Sequence, residues 1–223
     1  VERSYDRTNQ TYSLTFSQQI PDTPGQTNKK PMPIPVNMSL YDKNGQTLLL
    51  DLANSDSKSI AKEKVIYFSD KKETFTFMHI TEEPVPSLLR GFSAPVNLTI
   101  DYSIDEIIFL MANENDSYNR WSITRKLLSD TVLSLVTDIQ QNRELGIDHR
   151  IIEAFQNTLR NTDIDRELIA LALTVPSESE LGSLMVKVDV DAIHMAREFL
   201  LDTIANQLID DFRTVFAANQ ENG

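Results

Sequence analysis

Polar and apolar positions alternate along the first half of the chain. Tyr12, Leu14 and Phe16 alternate with Ser13, Thr15 and Ser17; Val36, Met38 and Leu40 with Asn37, Ser39 and Tyr41; Val96, Leu98, Ile100 and Tyr102 with Asn97, Thr99 and Asp101. A period of two puts one set of side chains on a dry face and the other in water, so each stretch predicts a strand. Further strands are expected at 63–68, 74–80 and 107–110. Asn44-Gly45 predicts a tight hairpin in which both central residues take positive φ. The run PVPSLLRGFSAPV (Pro84 to Val96) fences a short apolar stretch with prolines, which cannot donate to a ladder. It predicts a short strand near a sheet edge. About eight strands in roughly 100 residues, with no long helix among them, point to a β-sandwich.

The second half changes to steps of three and four. Trp121, Leu128, Val132, Leu135 and Ile139 share one helical face, with capping oxygens available in Asn115-Asp116-Ser117. A helix over Asp148–Arg160 is expected to turn Ile152, Phe155 and Leu159 inward. Thr162-x-x-Asp165 and Ser177-x-x-Glu180 have the form of capping boxes. A long last helix is expected from near Asp191, with the stripe Ile193, Ala196, Leu200, Ile204, Leu208, Phe212 and Val215. Such helices with short connections build antiparallel hairpins or the start of an α-solenoid, although no strict sequence repeat is present. The expected domains are a sandwich over 1–112 and a helical domain over 113–223.

Composition sharpens this division. Eight of the nine prolines precede residue 96. Residues 1–112 carry 11 basic and 14 acidic side chains, and residues 113–223 carry 10 and 19. The net charge of -12 and pI of 4.7 argue against nucleic acid and against an anionic membrane surface, both of which require a basic face. With no cysteine, disulfides and thiolate metal sites are excluded, which suits a reducing compartment. Sequons begin at Asn9, Asn37, Asn97 and Asn115, a number that a chain rich in Asn, Ser and Thr produces by chance. No apolar run approaches the ~18 residues of a membrane helix. The opening VERSYDRTNQ does not resemble a signal peptide, and both ends read as cuts.

Candidate chemistry is sparse. Each histidine has a glutamate four residues on: His79 with Glu83, His149 with Glu153, His194 with Glu198. On a helix such pairs share a face and could ligate a metal, but they serve equally as ordinary ion pairs. His79 falls on an expected strand, where the spacing is about 13 Å. No third ligand stands nearby and H-E-x-x-H is absent. Ser93 lies in extended chain rather than on a nucleophile elbow, because G-x-S-x-G is missing. Asp210-Asp211 and Asp189-x-Asp191 read as a solvated helix face and a helix start rather than a calcium site. From these residues no catalytic, metal or substrate-binding side chain is assigned.

Four longer segments carry more information. TPGQTNKKPMPIPVNMSLYDKNGQ (Thr23 to Gln46), PVPSLLRGFSAPVNL (Pro84 to Leu98), FLMANENDSYNRWSITRKLL (Phe109 to Leu128) and ELIALALTVPSESEL (Glu167 to Leu181) resemble bacterial-type aminopeptidase N, in order and over nearly the whole chain. The resemblance implies the family's third domain, an immunoglobulin-like β-sandwich, followed by the first helices of its C-terminal helical domain. Enzymes of that family remove N-terminal residues from peptides. They use one zinc held by H-E-x-x-H and a later glutamate, with G-x-M-E-N binding the substrate's amino end. None of these motifs occurs here, so no catalytic residue carries over. The expectation is a non-catalytic, cytoplasmic piece of a zinc aminopeptidase, without zinc itself, that braces the catalytic domain and helps wall the substrate chamber. Its partners would be that catalytic domain, the remaining helical domain and, in the parent, peptide substrates. The alternative is a stand-alone sandwich-plus-helical interaction module.

Overall fold

The computed structural model describes residues 1–53, 60–162 and 164–220. Its backbone divides into two compact units: Val1–Glu106 with Asn113–Asn119, and Ile107–Ala112 with the chain from Arg120 onward. Each unit has its own apolar core.

Among the described residues the first unit holds seven strands: β1 (Glu2–Asp6), β2 (Thr11–Ser17), β3 (Ile34–Tyr41), β4 (Asp51–Leu52), β5 (Lys64–Phe68), β6 (Lys72–Met78) and β7 (Val85–Leu88). They form two antiparallel sheets, ordered β1-β2-β6-β4 and β5-β3-β7. The alternation read from sequence sets the faces. Tyr12, Leu14 and Phe16 of β2 and Val36, Met38 and Leu40 of β3 are buried in one core with Ile66, Phe68, Phe77 and Leu88. Each such side chain contributes about 1.5–3 kcal/mol of burial. β7 does lie at a sheet edge, beside β3 alone. Pro86 sits opposite Leu40 in that pairing, at a place where a missing N–H costs no ladder on the outer side.

Three expectations change. Residues 96–102 join no ladder. Only Ile100 of that stretch is buried, and the segment is held by the Val1 ammonium donating to Thr99 O at 2.6 Å and Arg3 Nη2 donating to Asp101 O at 2.5 Å. Residues 107–110 are helical, within α1 (Ile104–Asn113). The helix is started by a capping box that the apolar run obscured: the Ser103 and Glu106 side chains each accept from the other's backbone N–H, at 3.2 and 2.8 Å. At Asn44-Gly45 the chain turns back, with Leu48 N–H donating to Leu40 O at 2.8 Å, but only Gly45 has positive φ (79°). The Asp42 carboxylate accepts from the N–H groups of Asn44 and Gln46, so this is an Asx-anchored turn rather than a two-residue hairpin. The chain beyond it then crosses to the other sheet as β4.

The second unit contains α2 (Ser117–Gln140), α3 (His149–Arg160), α4 (Arg166–Ala172), α5 (Glu178–Ser183), α6 (Val190–Gln207) and α7 (Ile209–Ala218), α2 beginning in the first unit. Leu128, Val132 and Leu135 of α2, Ile152, Phe155 and Leu159 of α3, and Ile193, Ala196, Leu200 and Ile204 of α6 form its core, as their spacing predicted. Asp148 caps α3, and Ser177 with Glu180 forms the expected capping box of α5. Asp165 does not close a box with Thr162; it is itself the N-cap of α4, accepting from the N–H groups of Glu167 and Leu168. The long last helix is two helices, broken at Leu208 (φ −114°, ψ 18°).

Two outcomes follow from these contacts. An alanine at Gly45 would have to hold φ near 79° and push against the Asn113 side chain. Gly45→Ala is therefore expected to cost about 1–2 kcal/mol in urea unfolding. The Glu180 carboxyl is held at about 2, against an ordinary 4.5, by the Ser177 N–H and hydroxyl and by the Arg125 guanidinium. A carboxyl depressed in the folded state adds stability above its unfolded value and loses it as pH falls. Amide protection in α5 should decline as pH drops from 4.5 towards 2, and Glu180→Gln should flatten that dependence.

Candidate functional site

The PVPSLLRGFSAPV run proves to be the centre of a buried polar network. β7 ends at Leu88, and the chain then makes a short turn in which Leu89, Gly91 and Phe92 all have positive φ, of 59°, 60° and 54°. For leucine and phenylalanine that conformation is unfavourable, and it persists only where surrounding contacts enforce it. Here the enforcing group is Arg90, which the turn sends inward until it is 5% exposed.

Arg90 meets the segment Asn113–Asn119, which belongs to the same unit. Its Nη1 lies 3.2 Å from Glu114 Oε1, and Glu114 is fully buried. The same nitrogen donates to Tyr41 Oη at 3.1 Å, and Nη2 donates to Asn115 Oδ1 and reaches Glu63 Oε2 at 3.1 Å. Ser87 donates its hydroxyl to Glu114 Oε2, and Tyr41 donates to Glu114 Oε1 at 2.8 Å. Asn119 Nδ2 donates to Ser87 Oγ and Leu88 O at 2.8 and 2.9 Å. Asp116 accepts from Gly91 N–H and caps α2 by accepting from Asn119 N–H. Burial alone would lower the Arg90 value, but Glu114, then Tyr41 and Glu63, raise it above the ordinary arginine range. Burial pushes the Tyr41 hydroxyl up. Both groups therefore keep fixed protonation at neutral pH. Glu114, Ser87 and Asn119 are shut away from water, so the arrangement fastens Asn113–Asn119 to the sandwich and presents no reactive atom to a substrate.

The histidines are scattered. His79 is not on a strand: it follows β6 at φ 61° and lies 3.3 Å from Asp51, not Glu83. His149 does pair with Glu153, at 3.2 Å on an open helix face. His194 accepts Glu178, not Glu198, as its partner at 2.8 Å, and this hydrogen bond raises its value above 6.5. Asp189 caps α6, accepting from Ala192 N–H, and Asp211 accepts from Gln156 and Arg160. Ser93 Oγ accepts from Asn37 N–H at 3.0 Å. Among the described residues no three His, Asp or Glu side chains converge as metal ligands, and no helix is long and apolar enough to cross a membrane. Sequence reasoning passed over Arg90 and Glu114. An arginine inside a proline-fenced apolar run, and an acid inside NENDS, were the available signals.

Known proteins carry the same two-part organisation. Residues 1–101 match a family described as Domain of unknown function (DUF3458), Ig-like fold, and residues 104–223 match one described as Domain of unknown function (DUF3458_C), ARM repeats. The chain belongs to this paired DUF3458 family. Aminopeptidase N of Escherichia coli is 33% identical over 222 residues, covering 100% of the chain and 25% of that protein. Aminopeptidase N of Haemophilus influenzae is 34% identical over 97% of the chain and 24% of its own length. The DUF3458 chain thus spans about a quarter of the curated relatives it matches, and is homologous to the Ig-like and helical domains of aminopeptidase N. In fold it is similar to the crystal structure of Legionella pneumophila aminopeptidase A in complex with aspartic acid, with a TM-score of 0.79 at 24% identity, over 100% of the chain and 23% of that structure.

The network predicts a large penalty for breaking it on one side. Glu114→Ala leaves the buried Arg90 charge with only the half-exposed Glu63 carboxylate as counter-ion and should cost about 3–5 kcal/mol in chemical unfolding. Arg90→Leu in the same background should recover part of that loss, because both charges are then gone.

Proposed function

We propose that this DUF3458 chain is the non-catalytic Ig-like and helical part of a cytoplasmic zinc aminopeptidase. In that enzyme it braces the catalytic domain and helps wall the chamber in which peptides lose their N-terminal residues. The observation that carries the reading is the match to aminopeptidase N across the whole chain, both domains in order. The network supports a bracing role, since it spends a buried ion pair on holding backbone rather than on reaching substrate. The division of the piece near residue 112 belongs to the same reading. It is supported by the interval between Glu106 and Arg120, in which the chain passes from one compact unit to the other.

In this reading the one zinc and the peptide site belong to the catalytic domain of the parent, together with the remaining helical domain as a further partner. The histidines of this chain bear on the point: His79 pairs with Asp51, His149 with Glu153 and His194 with Glu178, each an ion pair rather than a coordination sphere. The purified 223-residue chain should contain no zinc by elemental analysis and should release no chromophore from aminoacyl chromogenic amides. Stoichiometric zinc with turnover would overturn the reading and direct attention to the His–Glu pairs.

A further inference from the structure

The turn after β3 carries a reactive pair. Asn44 is exposed, and the residue after it is Gly45, whose backbone nitrogen no Cβ shields. A nitrogen so placed can attack the side-chain amide of the residue before it. Hydroxide takes the Gly45 N–H proton, the nitrogen bonds to Asn44 Cγ, and the Cγ–Nδ2 bond breaks. The departing Nδ2 recovers a proton from water and leaves as ammonia. Water then opens the succinimide ring at either carbonyl. The product is an aspartate, or an isoaspartate whose main chain runs through Cβ. The chain's other Asn-Gly pair, Asn222-Gly223, lies outside the described residues.

The same turn holds the attacking nitrogen back. Gly45 N–H donates to Asp42 O at 3.1 Å. The Asp42 carboxylate clamps both sides of the pair, accepting from Asn44 N–H at 2.9 Å and from Gln46 N–H at 2.8 Å. Asp42 N–H closes the loop by donating to Gln46 O at 2.9 Å. Lys43 is tied to Glu82, through its N–H at 3.2 Å and its ammonium at 3.3 Å. Attack therefore waits for these bonds to open. A surface turn opens locally far more often than its domain unfolds.

The position of the turn gives the reaction a consequence. Gly45 packs against the Asn113 side chain with no room for a Cβ, and Asn113 begins the segment that carries Glu114. An isoaspartate inserts an extra main-chain carbon ahead of Gly45, so the turn no longer keeps both the Asp42 clamp and the Asn113 contact. We propose that Asn44 is a self-modification site, converted through a succinimide at a rate that the Asp42 turn sets, and that its isoaspartyl product loosens Asn113–Asn119. The inference is independent of the aminopeptidase reading.

The test holds the 223-residue chain at neutral and at mildly alkaline pH and samples it over time. Pepsin digestion in acid, where the reaction stalls, and mass spectrometry read the acid formed at Asn44 separately from Asn222. An isoaspartyl methyltransferase labels the isoaspartate. The free peptide LYDKNGQTL (Leu40 to Leu48) is the reference. Both products should accumulate at Asn44, faster at the higher pH, and about tenfold more slowly than in the peptide because the turn's hydrogen bonds must open first. Asp42→Ala should close most of that gap, whereas Asp42→Asn keeps an acceptor oxygen and should stay near the parent rate. Ile66→Val weakens the buried core without touching the turn and should change nothing. The isoaspartyl form, separated by ion exchange, should exchange the Asn115 and Asp116 amides faster than the parent.

An Asn44 that stays intact over a period in which the free peptide converts many times over would overturn the proposal. Equal rates in the chain, in Asp42→Ala and in the peptide would show that the turn sets nothing. Acceleration by Ile66→Val to match Asp42→Ala would assign the reaction to global unfolding instead. An isoaspartyl form with unchanged exchange at Asn115 and Asp116 would remove the link to the buried network.

Discussion

The sandwich depends on one ion pair placed where water cannot reach it. Removing two charges from water costs several kcal/mol per ion, and mutual attraction repays this only when the remaining lone pairs and protons are also satisfied. Around Arg90 and Glu114 they nearly are: Tyr41, Ser87, Asn115 and the Asp116 N–H complete the shell. The exception is Arg90 Nε, which is buried without a hydrogen-bond partner. The left-handed Leu89 and Phe92 are understandable only as a consequence, since each costs of order 1 kcal/mol and the turn they form delivers the guanidinium to the carboxylate.

This explains why Asn113–Asn119 folds with the strands although it lies between two helices. Its Asn115 N–H is satisfied by Tyr41 Oη on β3, and its Asp116 N–H by the Glu114 carboxylate that Tyr41 and Ser87 hold in place. A buried polar network of this kind specifies one arrangement, because any shift leaves several desolvated groups unpaired at once. Hydrophobic contact is tolerant of small slips. The network is not.

Much of the architecture was legible in the sequence, and the errors have common causes. Period-two stretches that also pair on both sides, such as β2 and β3, behaved as read. Residues 96–102 have the same alternation but no neighbour to ladder with, and pairing is a tertiary fact that periodicity does not contain. The apolar run at 107–110 looked like a strand because it is too short to show a 3.6 period; the Ser103-Glu106 box was the deciding local signal. The Ser177-Glu180 box was readable because its partners lie within three residues, whereas Asp165 proved to cap α4 itself rather than to close a box with Thr162. The break at Leu208 was not readable, since no proline or glycine marks it. The Arg90–Glu114 network, with partners 24 residues or more apart in sequence except at its edges, was invisible for the same reason that caps were visible.

The two units meet their polar and apolar obligations in different ways, and the difference bears on function. In the sandwich, apolar alternation is closed between two sheets and the charged pair is sealed by its own strap. In the helical unit the stripe of α6 is buried as far as Leu208, but beyond it, on α7, Val215 is only partly buried and Phe212 and Phe216 are exposed. The break at Leu208 is what allows this: it lets α7 lean across α3 instead of prolonging α6 away from the core. A continuous helix would have carried Phe212 and Phe216 into solvent with no groove beside them. The bent arrangement gathers them with α3 and α4 into a single apolar trough edged by two arginines.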